Sequence, residues 1–172
     1  MGVLHLICCG APPTADVGRI IPLVERQGWD VWVIATPLAL PFLDAEAIER
    51  VTGRPLRSTF RLPSETRSPD PDAVLAAPLT FSSLNKWAAG IADTYALATF
   101  TESIGAGLPV VAVPWAKSAL TVHPAYARSI DLVRSMGATV IVERETESLL
   151  PDLAVPDFPW RAALAALPVT AR

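Results

Sequence analysis

Five segments of the chain are almost continuously apolar, and amphipathic segments separate them along the sequence. The apolar segments are Val3–Cys9, Asp30–Thr36, Ala73–Ala77, Pro109–Val113 and Ala138–Glu143. Unbroken runs of Val, Ile, Leu and Ala are typical of parallel strands that are covered on both faces. Strands that alternate with helices join as right-handed βαβ units. The pattern therefore predicts a single three-layer α/β domain with a mostly parallel sheet of five or six strands.

The segment between the first two predicted strands carries the clearest helical signal. From Val17 to Val24 the apolar residues follow the 0, +3, +4, +7 spacing of one helix face. Thr14 has the side chain of an N-cap, and Gly28 stands where such a helix would end. Pro22 falls inside the segment, where it indicates either a kink or a later helix start.

Further helices are expected between the remaining strands. They are predicted at about Pro41–Val51, Ser83–Ala89, Ala92–Gly105 and Pro124–Met136. Residues 53–71 are polar and rich in proline, which predicts a surface loop. Four prolines and a short Ala/Leu run follow residue 150. We therefore divide the chain into a domain of residues 1–150 and a C-terminal tail or short helix of residues 151–172.

Composition and charge exclude several classes of partner. The chain has 172 residues, 51% hydrophobic and 18% charged, which suffices for one core and argues against disorder. The formal net charge is −3 and Lys and Arg form no run, so we expect neither a nucleic-acid nor a membrane partner. The N-terminus lacks the basic region of a signal peptide. We expect a cytoplasmic protein in which the adjacent Cys8 and Cys9 are buried, reduced thiols.

The loops that follow the predicted strands are the candidate binding region, because ligands of an open parallel sheet collect beyond its carboxyl ends. The first loop, Gly10–Thr14, leads into a helix start, where backbone N–H groups and the helix dipole favour an anion. It matches neither the G-x-G-x-x-G pattern of dinucleotide binding nor the G-x-x-x-x-G-K-[ST] pattern of ATP hydrolysis. A single mononucleotide phosphate fits this loop, and a plain strand–helix connection is the alternative.

Several short stretches of the chain occur in the order of a known family's motifs. Residues 36–42 (TPLALPF) and 52–55 (TGRP) are similar to T-x-S-A-x-x-F and [ST]-G-N-P. Residues 78–86 (PLTFSSLNK) and 90–93 (GIAD) are similar to P-A-[ST]-A-N-T-x-A-K and G-I-A-D. Residues 114–130 are similar to P-x-M-N-x-x-M-x-x-[NH]-P-x-x-x-x-x-I. The chain thus resembles the flavoprotein family that holds phosphopantothenoylcysteine decarboxylase and the lantibiotic peptide cysteine decarboxylases, which implies a Rossmann-like (flavodoxin-like) domain.

The resemblance also implies a bound FMN and the residues that hold it. Its phosphate would lie near Gly10, Ala11 and the Thr36 loop, with further contacts from the Thr80–Ser83 turn. Trp115 either lies against the isoalloxazine ring or is a core residue. The cofactor-binding candidates are Gly10, Ala11, Thr36, Thr80, Phe81, Ser82, Ser83, Trp115 and Ala116. The family further implies a homo-oligomer, a trimer or dodecamer with the flavin at a subunit interface. The substrate would be a peptide or small molecule that bears a cysteine.

The chain departs from the family's pattern at positions that matter for catalysis. The family's catalytic histidine precedes the third strand, whereas residues 64–72 of this chain contain none. Lys117 and Ala116 replace the asparagine and methionine of P-x-M-N. In P-A-[ST]-A-N-T, Ser82 replaces the asparagine and Phe81 replaces the second alanine.

Lys117 and His123 are the candidate catalytic residues, and each has a structural alternative. Lys117 can pair with a carboxylate as a point charge, or it is a solvated loop lysine. His123 can transfer a proton, or it caps and packs the helix that follows it. The first hypothesis is an FMN-dependent lyase that oxidatively decarboxylates a C-terminal cysteine of a peptide or a cysteine derivative. The alternatives are a catalytically degenerate flavin-binding or regulatory subunit, and a mononucleotide-binding domain without flavin. No metal site is expected.

Overall fold

A five-stranded sheet forms the centre of the molecule. The structure is a computed structural model that describes residues 1–65 and 67–170. The strands are β1 (Gly2–Cys8), β2 (Trp29–Ala35), β3 (Ala73–Thr80), β4 (Val110–Trp115) and β5 (Thr139–Val140). All strand pairs are parallel, and the order across the sheet is β2-β1-β3-β4-β5. This is the flavodoxin-like order, whose switch point lies between β1 and β3. The predicted fold class is confirmed.

Helices cover both faces of the sheet. They are α1 (Val17–Arg26), α2 (Ala45–Thr52), α3 (Phe81–Ala88), α4 (Tyr95–Gly105), α5 (Ser118–Thr121), α6 (Pro124–Ser135) and α7 (Trp160–Ala165). Buried side chains of α1, α2 and α7 pack in one core cluster with one face of the strands. Those of α3, α4 and α6 pack in a second cluster on the other face. No helix among residues 1–65 and 67–170 is long and apolar enough to cross a membrane.

The start of α1 differs from the sequence prediction. Thr14 lies in a short 3₁₀ helix, Pro12–Asp16, and its hydroxyl donates to the Cys9 carbonyl at 2.6 Å instead of capping α1. Asp16 holds the N-cap position, but its carboxylate accepts hydrogen bonds from the backbone of residues 154 and 155. Pro22 lies within α1, which runs through it.

The helix predicted over Pro41–Val51 forms as two separate elements. Residues Pro37–Phe42 form a 3₁₀ helix, and α2 begins only at Ala45. Asp44 separates them, because its backbone is extended and its carboxylate accepts from the Ala47 N–H at 2.9 Å as an N-cap. The 3₁₀ helix leaves Leu38 exposed beside the end of β2.

The C-terminal segment packs against the main core. Phe158 and Trp160 are fully buried, and their ring centroids are 4.7 Å apart. Arg19 of α1 donates to the carbonyls of Pro151 and Asp152 at 2.7 and 2.8 Å. Together with the Asp16 carboxylate, these contacts attach residues 151–167 to the N-terminal end of α1.

Candidate functional site

Four loops meet at the carboxyl edge of the sheet. Gly10 and Ala11 follow β1, and Thr36 follows β2. The turn 80–83 joins β3 to α3, and residues 115–117 continue from the end of β4. Because the strands are parallel, all of their carboxyl ends lie on the same side of the sheet. We call the region bounded by these four loops the carboxyl-edge crevice; it contains all nine cofactor-binding candidates and Lys117.

The end of β1 presents two backbone donors that lack acceptors. The N–H groups of Gly10 and Ala11 have no hydrogen-bond partner in the part of the chain that the structure describes, and two prolines follow them. The neighbouring Thr36 is only 7% exposed, and its hydroxyl likewise has no partner within residues 1–65 and 67–170. Adjacent unpaired N–H groups favour an anion. This arrangement fits a phosphate group.

Gly10 allows the first two loops to approach each other closely. A Cβ added at Gly10 would lie 2.5 Å from the Leu38 carbonyl oxygen and 2.8 Å from its carbonyl carbon. Any side chain at this position therefore collides with backbone. Glycine is what keeps the donors after β1 next to Thr36 after β2.

The turn after β3 adds a helix N-terminus to the crevice. The Thr80 side chain caps α3: its oxygen accepts from the Ser83 N–H at 3.3 Å and donates to the Ser83 hydroxyl at 3.0 Å. The first N–H groups of an α-helix have no intrahelical acceptor, so the N–H of Ser82 is available to a ligand. Beneath them, burial raises the pKa of the Cys9 thiol, and hydrogen bonding to Ser83 and Thr80 opposes that rise only in part. Cys9 is thus a protonated thiol of the core, not a nucleophile.

Phe81 leans away from the sheet onto α6. Its ring is stacked on Tyr126 at 6.4 Å between centroids and lies edge-on to His123 at 5.8 Å. His123 is the N-cap of α6, and its Nδ1 accepts from the Ala125 N–H at 3.1 Å. The expected capping role of His123 is therefore present, and it fixes the proton of the neutral ring on Nε2.

Trp115 and Lys117 lie on the other side of the crevice. The guanidinium carbon of Arg144 is 3.6 Å from the centre of the Trp115 ring, and the Phe158 ring lies 5.6 Å from it. Trp115 is thus held by two residues from the C-terminal third of the chain. Lys117 is exposed, and its ammonium group has no hydrogen-bond or ion-pair partner among the residues described.

A family model described as Flavoprotein matches residues 3–159 of the chain. The chain belongs to the flavoprotein family. The match spans the four loops of the carboxyl-edge crevice and most of the C-terminal segment that packs against the core. The family resemblance that the sequence motifs suggested is therefore confirmed.

Solved structures with the same fold include several decarboxylases. SpaF, an FMN-dependent cysteine decarboxylase, is 22% identical with a TM-score of 0.74, covering 96% of this flavoprotein and 95% of its own chain. TvaF, an FMN-dependent cysteine decarboxylase from thioviridamide biosynthesis, is also 22% identical, with a TM-score of 0.72 and coverage of 96% and 98%. A phenylacrylic acid decarboxylase from Aquifex aeolicus is 14% identical, with a TM-score of 0.76 and coverage of 100% and 99%. At these identities the likeness shows the fold alone. No curated protein matches the chain in a sequence comparison.

The flavoprotein also has a cavity away from the crevice. It measures about 600 Å³ and lies between the 53–71 loop and α4, with the ring of Phe60 packed edge-on to Tyr95 at 5.8 Å. His5 lines it and is only 4% exposed; its Nε2 lies 3.2 Å from the Pro69 carbonyl oxygen. None of the predicted site residues lines this cavity. Its size alone therefore does not make it the candidate site.

The buried His5 is expected to make stability depend on pH. Burial lowers the pKa of His5, and the Pro69 carbonyl and Asp70 oppose that effect only in part. The unfolded chain therefore binds the proton more readily, so the free energy of unfolding should fall as pH drops through the unfolded pKa of about 6.5. Urea unfolding across this range should show a shallower decline for His5→Phe than for the wild type.

The matched control for His5 is His123→Asn, since His123 is the only other histidine of the chain. Asparagine keeps an N-cap side chain while removing an exposed imidazole. This variant should decline as steeply as the wild type. An equally shallow decline in both variants would show that the buried His5 is not the cause.

Sequence reasoning missed the contacts that the C-terminal segment makes at the crevice. Arg144 and Phe158 reach Trp115 across about 30 to 40 residues of chain. Tyr126, which pairs with Phe81, appeared in the sequence only as an apolar position on a helix face. No local pattern signals these pairs. The Trp115 contacts depend on how the segment after β5 returns to the end of β4, and the Phe81–Tyr126 pair depends on how α6 packs against α3.

Proposed function

We propose that this flavoprotein binds FMN in the carboxyl-edge crevice and oxidatively decarboxylates a substrate with a C-terminal cysteine, a peptide or a cysteine derivative. The observation that carries the proposal is the pair of unpaired N–H groups at Gly10 and Ala11, next to the buried Thr36 hydroxyl. Membership of the flavoprotein family supports the choice of flavin. Two proteins of the same fold, SpaF and TvaF, carry the description FMN-dependent cysteine decarboxylase, which supports the reaction class.

The residues of the crevice fit the two halves of FMN. The phosphate would accept hydrogen bonds from the N–H groups of Gly10 and Ala11 and from the Thr36 hydroxyl. These groups have no acceptor among the described residues, so an anion would satisfy them. The ring would lie between the start of α3 and residues 115–116, where aromatic and apolar side chains meet polar backbone groups. The Arg144 guanidinium covers one face of the Trp115 ring, so the flavin ring would contact Trp115 beside this guanidinium.

Bound FMN would supply the two-electron oxidant that activates the cysteine thiol, after which the carboxyl group leaves as carbon dioxide. The exposed ammonium of Lys117 would attract the substrate carboxylate as a point charge. His123 would hold a proton at Nε2, next to the Phe81 ring. Phe81 and Trp115 would exclude water from the two sides of the ring.

The chain lacks the family's catalytic histidine before β3, so Lys117 and His123 would have to take over its role. Residues 64–72 contain no histidine, and Arg57 of the same loop forms a bridge to Ile34 beside β2. Two carboxylates of this loop are paired with arginines: Asp70 lies 2.6 Å from Arg67, and Glu65 lies 3.5 Å from Arg57. The loop therefore offers no evident general base, and proton transfer falls to residues after β4.

Exposed apolar side chains support assembly into a homo-oligomer. Leu38 is 79% exposed, Phe60 57% and Val122 81%. Large apolar side chains that are exposed in a single chain can be buried at a subunit interface. We propose a trimer, or a dodecamer built from trimers, in the cytoplasm.

The direct experiment is a carbon dioxide assay on the FMN-loaded protein. A peptide that ends in cysteine should lose carbon dioxide, and mass spectrometry should find the corresponding enethiol. The same peptide ending in serine has no thiol to oxidise and should be unchanged. If flavin binds but neither the peptide nor phosphopantothenoylcysteine loses carbon dioxide, the proposed reaction is wrong.

Lys117→Ala is expected to raise the KM for the cysteine-ending peptide by about tenfold, because a charge-assisted contact contributes about 1.5–3 kcal/mol. Steady-state kinetics on the FMN-loaded variant measure it. Lys86→Ala serves as the matched control because it removes the only other lysine of the sequence. Lys86 lies on α3, and its Nζ is 2.5 Å from the Asp93 carboxylate. An equal KM in both variants would contradict the role given to Lys117.

A further inference from the structure

Arg144 is held in an unusual position at the end of β4. Its guanidinium carbon lies over the Trp115 ring, 3.6 Å from the ring centre, which is a van der Waals contact distance. Its Nη1 donates to the Asp157 carboxylate at 3.1 Å. Arginine stacked on an aromatic ring keeps its N–H donors in the plane of the group, where they can meet a second acceptor.

The remaining donors of Arg144 are unused. Apart from the Nη1–Asp157 contact, its guanidinium N–H groups have no acceptor in the described chain. The side chain is 46% exposed, so a ligand can reach it. A guanidinium with one edge paired and the other open is suited to a bidentate carboxylate.

The segment that carries Arg144 is fixed by its own hydrogen bonds. The Glu145 N–H donates to the Asp157 carbonyl at 3.0 Å, and the Glu145 carboxylate accepts from the Ala162 N–H at 3.0 Å. Phe158, next to Asp157, is fully buried against Trp115. The Arg144 guanidinium is therefore held in one position before a ligand binds.

Arg144 also lies close to the aromatic side of the crevice. Burial raises the pKa of Tyr126, and the positive charge of Arg144 opposes that rise in part. Tyr126 in turn stacks on Phe81 at the start of α3. The charge of Arg144 therefore acts on the Phe81 side of the crevice as well as at Trp115.

The geometry points to Arg144 as an anion-binding subsite that orients the carboxylate of the substrate through two hydrogen bonds on the face of Trp115. This inference rests on the proposed function and adds a residue to it. Lys117 attracts the carboxylate from a flexible, exposed stem, whereas Arg144 fixes its direction. The group that Arg144 would recognise is the carboxylate of a substrate that also carries an uncharged thiol.

The test measures binding by isothermal titration of the FMN-loaded protein. The probes are a cysteine-ending peptide acid, its C-terminal amide and the corresponding serine-ending acid. The wild type should bind either acid at least about tenfold more tightly than the amide. Arg144→Gln should reduce this preference to the part that Lys117 supplies, and Arg144→Lys should show an intermediate preference, because lysine keeps the charge but not the two-point contact. Arg161→Gln, an exposed arginine of α7, should behave like the wild type.

The outcomes separate the carboxylate subsite, its two-point contact and the proposed reaction. If Arg144→Gln keeps the full preference for acids, the subsite is wrong while the proposed function stands. If Arg144→Lys equals the wild type, the two-point contact is wrong. If the wild type does not distinguish acid from amide, no carboxylate is recognised and the subsite is wrong. If acids are preferred and Arg144 controls it, yet no carbon dioxide leaves the cysteine peptide, the subsite stands and the proposed reaction fails. Unchanged thermal midpoints and FMN affinity in the Arg144 variants exclude a folding defect.

Discussion

Trp160→Ala is expected to lower the free energy of unfolding by about 3–5 kcal/mol, the usual loss when a large buried aromatic side chain is truncated. Trp160 is fully buried and packs against Phe158 at 4.7 Å between ring centroids. Both rings lie in the same core cluster as side chains of β1 and β3. Equilibrium unfolding in urea, followed by circular dichroism, measures the change.

Two further variants make this expectation specific. Arg161→Ala changes the next, exposed residue of α7 and should alter stability by no more than about 0.5 kcal/mol. Trp160→Phe should lose less than Trp160→Ala, because it keeps a ring and removes an indole N–H that has no partner within the described residues. A Trp160→Ala effect as small as that of Arg161→Ala would mean that the C-terminal segment does not belong to the core.

Gly10→Ala is expected to reduce FMN affinity by at least about tenfold. The added Cβ would lie 2.5 Å from the Leu38 carbonyl oxygen, so the loops after β1 and β2 must move apart. Such overpacking strains a structure by about 1–3 kcal/mol, and the movement separates the donors of Gly10 and Ala11 from Thr36. Quenching of FMN fluorescence on titration with the protein measures the affinity.

Gly18→Ala is the matched control for Gly10→Ala. Gly18 lies in α1, and a Cβ added there meets no atom within 4 Å. This variant should bind FMN as the wild type does and should be more stable by about 0.5–1 kcal/mol, because alanine favours the helix. Equal FMN affinity in Gly10→Ala and Gly18→Ala would show that the close approach of the two loops does not matter for binding.

The fold followed from the sequence because its signals are local and repeated. Continuous apolar runs marked all five strands, and Gly28 and Gly137, both with positive φ, end helices where the sequence placed them. The helix starts were predicted wrongly where a short polar side chain had two possible hydrogen-bond partners. Thr14 donates to the Cys9 carbonyl instead of capping α1, and Asp44 caps a helix that was expected to begin before it.

The candidate site was less predictable because half of it depends on long-range packing. The loops that carry Gly10 and Thr80 could be placed from strand order alone, since parallel strands bring their carboxyl ends together. The stacking of Arg144 on Trp115 depends on the path of the chain after β5, which forms only two residues of strand where six were expected. No periodicity in the sequence encodes that path.

Comparison of FMN with riboflavin tests the central claim most directly. The unpaired donors at Gly10, Ala11 and Thr36 favour a phosphate, so the purified protein should bind FMN at one flavin per chain and prefer it over riboflavin by at least about tenfold. Fluorescence titration of flavin-free protein with both ligands supplies the measurement. Equal affinity for the two ligands, or no affinity for FMN, would contradict a phosphate site at the end of β1.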